Sequence, residues 1–207
     1  MFITFEGIDF CGKSTQVELL KKYLTDRNKI VEIIREPGGT SISEMVRSIL
    51  LDKVHENMCN ETEFLLFSSS RAQLVREKIR PYLMKGYYVI SDRFHDSSTA
   101  YQGFGRGLSV DAITNIHNLA IGDTIPNITF FIDIPVEEAE NRKRQKLHHE
   151  LDRIEVSERD FFEKVRNGYL FLSKDKRFRK IDGMRSIQEI HQEIIKEIEL
   201  LEKRKKV

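Results

Sequence analysis

The sequence predicts an α/β fold, a parallel sheet flanked by helices, and three observations carry that prediction. Short apolar runs alternate with longer amphipathic stretches along the chain, the pattern of successive βαβ units. The apolar runs are near-continuous rather than alternating, as expected of strands buried on both faces. Polar residues able to do chemistry follow several of these runs directly, where ligands bind beyond the C-terminal ends of parallel strands.

Taken in order, Phe2 to Phe5 reads as a strand and Lys13 to Leu24 as a helix. Ile30 to Ile34 is a β-branched strand, and Ser43 to Leu51 a helix. Asn60 to Lys85 reads as one long helix that Pro81 is placed to kink near its end. Tyr87 to Ile90 is a strand, and Ser109 to Ile121 a helix with Ser109 as its N-cap. Ile128 to Ile132 is a strand ending at Asp133. Val136 to Lys146 and Ser157 to Ser173 are helices, Phe178 to Ile181 is a short strand, and Ser186 to Glu202 closes the pattern as a helix.

The bulk numbers exclude several classes. A chain of 207 residues with 40% apolar and 32% charged residues is long enough, and apolar enough, for one domain with a buried core. The formal net charge of +1 gives no global field for nucleic acid or a membrane. Two cysteines, Cys11 and Cys59, make no disulfide framework, which points to a reducing, cytoplasmic setting. The N-terminal residues lack the basic and apolar regions of a signal peptide, so none is expected. No apolar run reaches about 18 residues, the length of a membrane span.

The chemistry enters at Gly7-Ile8-Asp9-Phe10-Cys11-Gly12-Lys13-Ser14, which fits G-x-x-x-x-G-K-[ST] between a strand and a helix. Glycines let backbone N–H groups converge on phosphate, and the helix N-terminus adds partial positive charge. Lys13 is then expected at the β- and γ-phosphates and the Ser14 hydroxyl at Mg²⁺. ATPase, GTPase and small-molecule kinase all remain open at this point, although no Asn-Lys-x-Asp guanine-reading segment is present. Asp92 ends a strand where a Mg²⁺-holding carboxylate belongs. Arg93 follows it, either as its ion-pair partner or as a guanidinium facing phosphate. Cys11, inside the loop and beside a helix N-terminus, is expected to be an activated thiol that alkylation would reach.

Six further strings occur in order around this loop. They are Phe5-Glu6-Gly7-Ile8-Asp9, Arg35-Glu36-Pro37-Gly38-Gly39-Thr40, Leu65-Leu66-Phe67 with Arg71, Asp92-Arg93-Phe94, Ala100-Tyr101-Gln102-Gly103 and Leu151-Asp152-Arg153-Ile154-Glu155. Together they resemble the thymidylate kinase (dTMP kinase) family, bacterial type, over essentially the whole chain. The resemblance implies a P-loop kinase fold with a five-stranded parallel sheet, one domain over residues 1–207, a lid at about 141–156, and a homodimer formed through helices.

It also implies roles. Residues Gly7 to Thr15 would bind ATP: Gly7, Ile8, Asp9, Phe10, Cys11, Gly12, Lys13, Ser14 and Thr15. Ser14 and Asp92 would hold Mg²⁺, with Asp9 near the metal-bound phosphates and the sugar 3′-hydroxyl. Phe67 would stack on thymine, Arg71 and Gln102 would bond its edge with Ser98 close by, and Tyr101 would pack on the deoxyribose. Arg47 would hold the dTMP phosphate, Glu36 would organise that site, and Arg93 would bridge donor and acceptor phosphates. Some members carry a catalytic cation at the position of Phe10. Here that cation is expected from the lid, with Arg142, Arg144 and Arg153 as candidates and Lys143 or Lys146 next. Lys146, His148 and His149 stand where bacterial relatives often carry arginine or glycine.

The expected reaction is dTMP to dTDP with Mg-ATP by direct in-line transfer, supplying dTTP synthesis in the cytoplasm, with neither membrane nor nucleic acid as partner. Other nucleotide acceptors such as dCMP or dUMP, a deoxynucleoside acceptor, and an ATPase switch that binds a partner protein are the rival readings. The basic tail Lys203 to Lys206 reads as a solvated end.

Overall fold

Five apolar runs form β1 (Phe2–Glu6), β2 (Val31–Arg35), β3 (Tyr88–Asp92), β4 (Ile128–Asp133) and β5 (Phe178–Asp182) in the computed structural model, which describes residues 1–145 and 152–204. They make one parallel five-stranded sheet of order β2-β3-β1-β4-β5. Both faces of the central strands β1, β3 and β4 are buried, as their apolar runs require. Ile3, Phe5 and Phe130 belong to one core cluster, Phe2 and Val89 to another. The register pairs Phe5 with Asp92 and Arg35 with Asp92. The last residue of β1, Glu6, and the residues that follow β3 and β2, Arg93 and Glu36, therefore emerge together at the C-terminal edge.

The helices are α1 (Lys13–Thr25), α2 (Ser41–Leu51), α3 (Asn60–Leu74), α4 (Arg80–Met84), α5 (His95–Ser98), α6 (Val110–Ile121), α7 (Val136–Gln145), α8 (Arg159–Leu172) and α9 (Ile187–Arg204). Several ends differ from expectation by a residue or two, and the caps explain it. Thr40 accepts from the Ser43 N–H, so α2 starts before Ser43. Ser186 forms a reciprocal capping box with Glu189, so it precedes α9 rather than opening it. Ser109 caps α6 as expected.

The long helix expected over 60–85 is continuous but not regular. A π-helical turn, Val75–Ile79, joins α3 to α4. Pro81 has no N–H and its ring crowds the carbonyl four residues back, so the widened turn just before it absorbs what a kink would otherwise relieve. A second segment has no counterpart in the sequence reading. After α5 the chain runs as a π-helical stretch, Thr99–Gly105, that carries Tyr101 and Gln102. Gly103 and Gly105 give it no helical signature, yet α8 requires a glycine at 105. A Cβ on Gly105 would lie 2.6 Å from the Phe161 ring.

The Lys146, His148, His149 and Leu151 positions of the lid, and Lys205 and Lys206 of the tail, lie outside the described residues. Arg142, Lys143 and Arg144 sit in the last turn of α7, where cations suit the helix dipole. Among the described residues no helix is long and apolar enough to cross a membrane.

Gly168 of α8 tests how tightly the π-helical stretch is held. A Cβ there would approach three Phe104 side-chain atoms at 2.9 Å. Gly168→Ala should gain about 1 kcal/mol of helix propensity and lose about 1–3 kcal/mol to overpacking. A net fall in the urea midpoint is expected.

Candidate active site

β1 delivers the chain to the phosphate loop, whose backbone only particular residues allow. Gly7 has φ 139°, and a Cβ on it would lie 2.5 Å from the Ile132 carbonyl oxygen. Gly12, with φ 100°, caps α1 in a left-handed conformation. Phe10 also has positive φ, 63°. Lys13 Nζ donates to the Gly7 and Ile8 carbonyls at 3.1 and 2.9 Å, and Ser14 Oγ donates to Asp92 Oδ2 at 2.8 Å. Lys13, Ser14 and Asp92, with Asp9, Phe10, Cys11, Gly12 and Thr15, line an open cavity of about 630 Å³. Ile8 is buried in the core behind it.

A second, smaller cavity of about 190 Å³ is walled by Phe67, Arg71, Ser98, Tyr101 and Gln102, with Ile154. Arg71 is 1% exposed. Its Nε donates to Glu36 Oε2 at 2.7 Å, and its Nη2 to Ser98 Oγ at 3.0 Å and the Phe94 carbonyl at 3.3 Å. Among the described residues Arg71 Nη1 and Glu36 Oε1 have no partner although both are buried. Orphan polar atoms of this kind are costly unless a ligand or water meets them. Burial pushes the Glu36 carboxyl up from its ordinary value, against the pull of Arg71.

The two cavities share Asp9, Glu36, Arg47, Arg93 and Glu155. Arg93, with φ 70°, sits at this junction. Its Nη2 meets Asp9 Oδ1 at 2.5 Å and the Tyr101 hydroxyl at 3.0 Å. Its Nη1 donates to the Gly7 carbonyl, Ser97 and the Tyr169 hydroxyl. Tyr101 in turn donates to Asp9 Oδ2 at 2.9 Å. Burial alone would raise the Asp9 carboxyl, but Arg93 and then Lys13 hold it below its ordinary value. Arg47 donates to the Pro37 carbonyl at 2.8 Å from the same wall.

The lid candidates separate. Arg142 lines the larger cavity and donates to the Gly183 carbonyl at 3.0 Å and the Cys11 carbonyl at 3.4 Å. Arg144 is 74% exposed, beside Glu140, and lines neither cavity. Arg153 turns the other way, donating to the Leu50 carbonyl at 2.9 Å and Glu63 Oε2 at 2.6 Å. The expectation for Cys11 is corrected. Its side chain is 2% exposed and desolvation pushes the thiol pKa up, outweighing Lys13 and Arg93, so the helix terminus does not activate it.

Several neighbours of the site carried no sequence signal. Glu6, fully buried, accepts from the Phe94 N–H, Ser97 and the Tyr169 hydroxyl. Glu63 reads as an ordinary acid in the first turn of a helix, yet it is 1% exposed and bonded to Gln102, Arg106 and Arg153. Only the quoted Phe5-Glu6-Gly7 string touches any of these.

A family model described as thymidylate kinase matches residues 5–194. The chain belongs to the thymidylate kinase family. It is 49% identical over 199 residues to the thymidylate kinase of Kosmotoga olearia, covering 95% of this chain and 94% of that one. It is 50% identical over 195 residues to the thymidylate kinase of Thermosipho melanesiensis, covering 94% and 95%. A crystal structure of thymidylate kinase from Ehrlichia chaffeensis superposes with a TM-score of 0.77 at 36% identity, covering 96% of this chain and 98% of the other. The fold of the family, a P-loop kinase sheet of five parallel strands, is the fold described above.

Two measurements follow from the site's burial. Iodoacetamide should label exposed Cys59 first and Cys11 slowly, as mass spectrometry would read, with activity surviving the first event. His95 and His117 are buried, and desolvation lowers their pKa values to about 4 and about 2. The unfolded chain therefore takes up protons below about 6.5 that the folded chain does not, so stability falls as pH falls from there. Glu6, raised to about 7 mainly by burial, acts oppositely, costing stability as pH rises from about 4.5 to 7. His117→Gln removes one histidine contribution and leaves Glu6 in place. Its urea midpoint should fall less steeply than the wild type's between pH 6.5 and 4.5, by up to about 1.4 kcal/mol per pH unit.

Proposed function

We propose that the protein transfers the γ-phosphoryl group of Mg-ATP to the 5′-phosphate of dTMP, giving dTDP and ADP. The observation that carries this reading is the meeting of two unlike cavities at one basic junction. One holds the phosphate-loop lysine and serine. The other pairs an aromatic wall with buried polar groups, and Arg93 and Arg47 stand between them. An ATPase switch leaves the second cavity without a use.

Thymine stacks on Phe67, Arg71 Nη1 donates to its O4, Gln102 bonds its N3 edge, and Ser98 holds the Arg71 guanidinium in place. Tyr101 lies against the deoxyribose and Asp9 near its 3′-hydroxyl. Glu36 fixes Arg71 and, with Arg47, frames the acceptor phosphate. The acceptor oxygen is already an anion, so no strong base is needed, and catalysis consists of positioning and charge stabilisation. Lys13 leaves its loop carbonyls for the donor phosphates, and Arg93 spans donor and acceptor. Arg142 supplies the cation that Phe10 does not, with residues 141–156 as the lid of a single domain over 1–207.

The Ser14 hydroxyl and the Asp92 carboxylate are hard oxygen groups at the mouth of the phosphate loop, a set that suits Mg²⁺, which keeps few protein ligands. Bound there, Mg²⁺ supplies neutralisation of the β- and γ-phosphate charge. The enzyme acts in the cytoplasm for dTTP synthesis and works as a homodimer. Ile42, Met45 and Ile49 on α2, Leu65 on α3 and Leu119 on α6 form the apolar exposure on which a second copy would sit.

ADP release with ATP alone and with dTMP, dCMP or dGMP added tests the reading. Release should depend on dTMP, and equal rates with the other acceptors overturn it. Lys13→Ala and Arg142→Ala should each lower kcat by about a hundredfold or more, with KM for dTMP changing far less in Arg142→Ala. Arg144→Ala should stay near wild type.

A further inference from the structure

Thymine and cytosine present opposite polarity at the edge that Arg71 and Gln102 face. Thymine offers an acceptor at O4 and a donor at N3–H, whereas cytosine offers a donor at N4 and an acceptor at N3. A glutamine amide can meet either polarity by turning over, because its carbonyl and its NH₂ group are nearly interchangeable in shape. Something must therefore fix which end of the Gln102 amide faces the cavity.

Glu63 is the group in contact with the far end of that amide. Gln102 Nε2 donates to Glu63 Oε1 at 2.9 Å, and both side chains are 1% exposed. An ionised carboxylate only accepts, so the amide must turn its NH₂ group toward Glu63 and its carbonyl the other way. Glu63 is kept ionised by its surroundings. Arg153 Nη2 lies 2.6 Å from Oε2 and Arg106 Nε 3.3 Å from Oε1. Desolvation would raise the carboxyl, but Arg106, the Gln102 amide and Arg153 together hold it below its ordinary value. Arg71 can only donate, and its unpartnered Nη1 completes a donor–acceptor pair in the same cavity wall.

We infer that Glu63 is a specificity-determining residue: by accepting from Gln102 it turns the amide carbonyl to the base, so that the site takes a pyrimidine with N3–H and rejects cytosine. Glu63 does this as a positioning residue, since Gln102 stands between it and the base. The inference rests on the dTMP-kinase reading and goes beyond it by naming what sets the base choice. Thymine and uracil share this edge, so the device separates both from cytosine and not from each other.

The test is the ratio of kcat/KM for dTMP to that for dCMP, measured on variants shown by thermal melting to be folded. Glu63→Gln offers Gln102 either a donor or an acceptor and frees the amide to turn. The ratio should fall about tenfold to a hundredfold, the scale of one mismatched buried hydrogen bond. Arg106→Lys keeps a cation beside Glu63, so the carboxylate stays ionised and the amide stays turned, and its ratio should stay at the wild-type value. In Gln102→Glu combined with Glu63→Gln, donor and acceptor change places while a carboxylate oxygen still faces the base, so the preference for dTMP should return. The combined variant also decides the matter if Glu63→Gln alone fails to fold, because it keeps the pair hydrogen-bonded. A folded Glu63→Gln with the wild-type ratio overturns the inference. So does an Arg106→Lys ratio that falls as far, or a combined variant without preference. A wild-type enzyme that shows no preference for dTMP overturns the functional reading and this inference together, whereas the variants bear on Glu63 alone.

Discussion

A half-buried guanidinium needs its charge and its N–H groups answered, and the arrangement around Arg93 is that answer. Asp9 and the Gly7 carbonyl come from the phosphate loop, Tyr101 from the π-helical stretch, Ser97 from α5 and Tyr169 from α8. These contacts draw four elements to one point. Arg93 itself holds a positive φ that costs a non-glycine residue about 1–3 kcal/mol. Its backbone N–H donates to the Phe5 carbonyl and its own carbonyl accepts from Ser91 Oγ. Losing one partner of such a pair leaves a poorly compensated charge in a half-buried site. The junction between the two cavities is therefore rigid before any nucleotide arrives, which is what electrostatic catalysis of phosphoryl transfer requires.

Behind that junction, buried carboxylates set the direction of the polar groups that face a ligand. Glu36 orients Arg71, Glu6 orients Ser97 and Tyr169, and Glu63 orients Gln102. In a low-dielectric wall each such bond is stronger than in water, and each unpaired atom is more costly. The orphan Nη1 of Arg71 is thus a statement about a missing partner in the acceptor cavity. The segment 152–155 contributes to the same wall. Asp152 accepts from the Ile154 and Glu155 N–H groups, which folds the segment so that Ile154 reaches the smaller cavity and Arg153 reaches Glu63. This explains why Arg153 meets Leu50 and Glu63 rather than the phosphate loop.

The elements that were legible in the sequence are those whose signal is local. The central strands β1, β3 and β4 read as apolar runs because both their faces are covered, whereas the edge strands β2 and β5 carry charged, partly exposed residues. The phosphate loop reads from its glycines because Gly7 and Gly12 need positive φ where a side chain is strained. The segment 95–105 was not legible. Its helical form is dictated by packing on Phe161 and Val165 of α8, which excludes side chains at Gly105. The π-turn before Pro81 likewise answers a steric demand that a propensity reading assigns to a kink. Cys11 failed for a related reason. Proximity to a helix terminus is local, but desolvation depends on what the rest of the chain places over the thiol.

What the sequence determined by itself is the class of chemistry and the edge of the sheet where it happens. A phosphate-binding loop, a strand-end Asp92-Arg93 pair and the strings shared with thymidylate kinases are contiguous, so their meaning survives without coordinates. Only the tertiary structure decided which groups meet across the chain. Arg142 joins the donor cavity while Arg153 joins Glu63, and Glu63 meets Gln102 across 39 residues of sequence. Such pairings depend on long-range register and on burial, and neither is written in the spacing of the residues that make them. Burial then gives those pairings their strength, because a carboxylate that would be a solvated helix acid in isolation becomes, once dry, the fixed acceptor around which its neighbours turn.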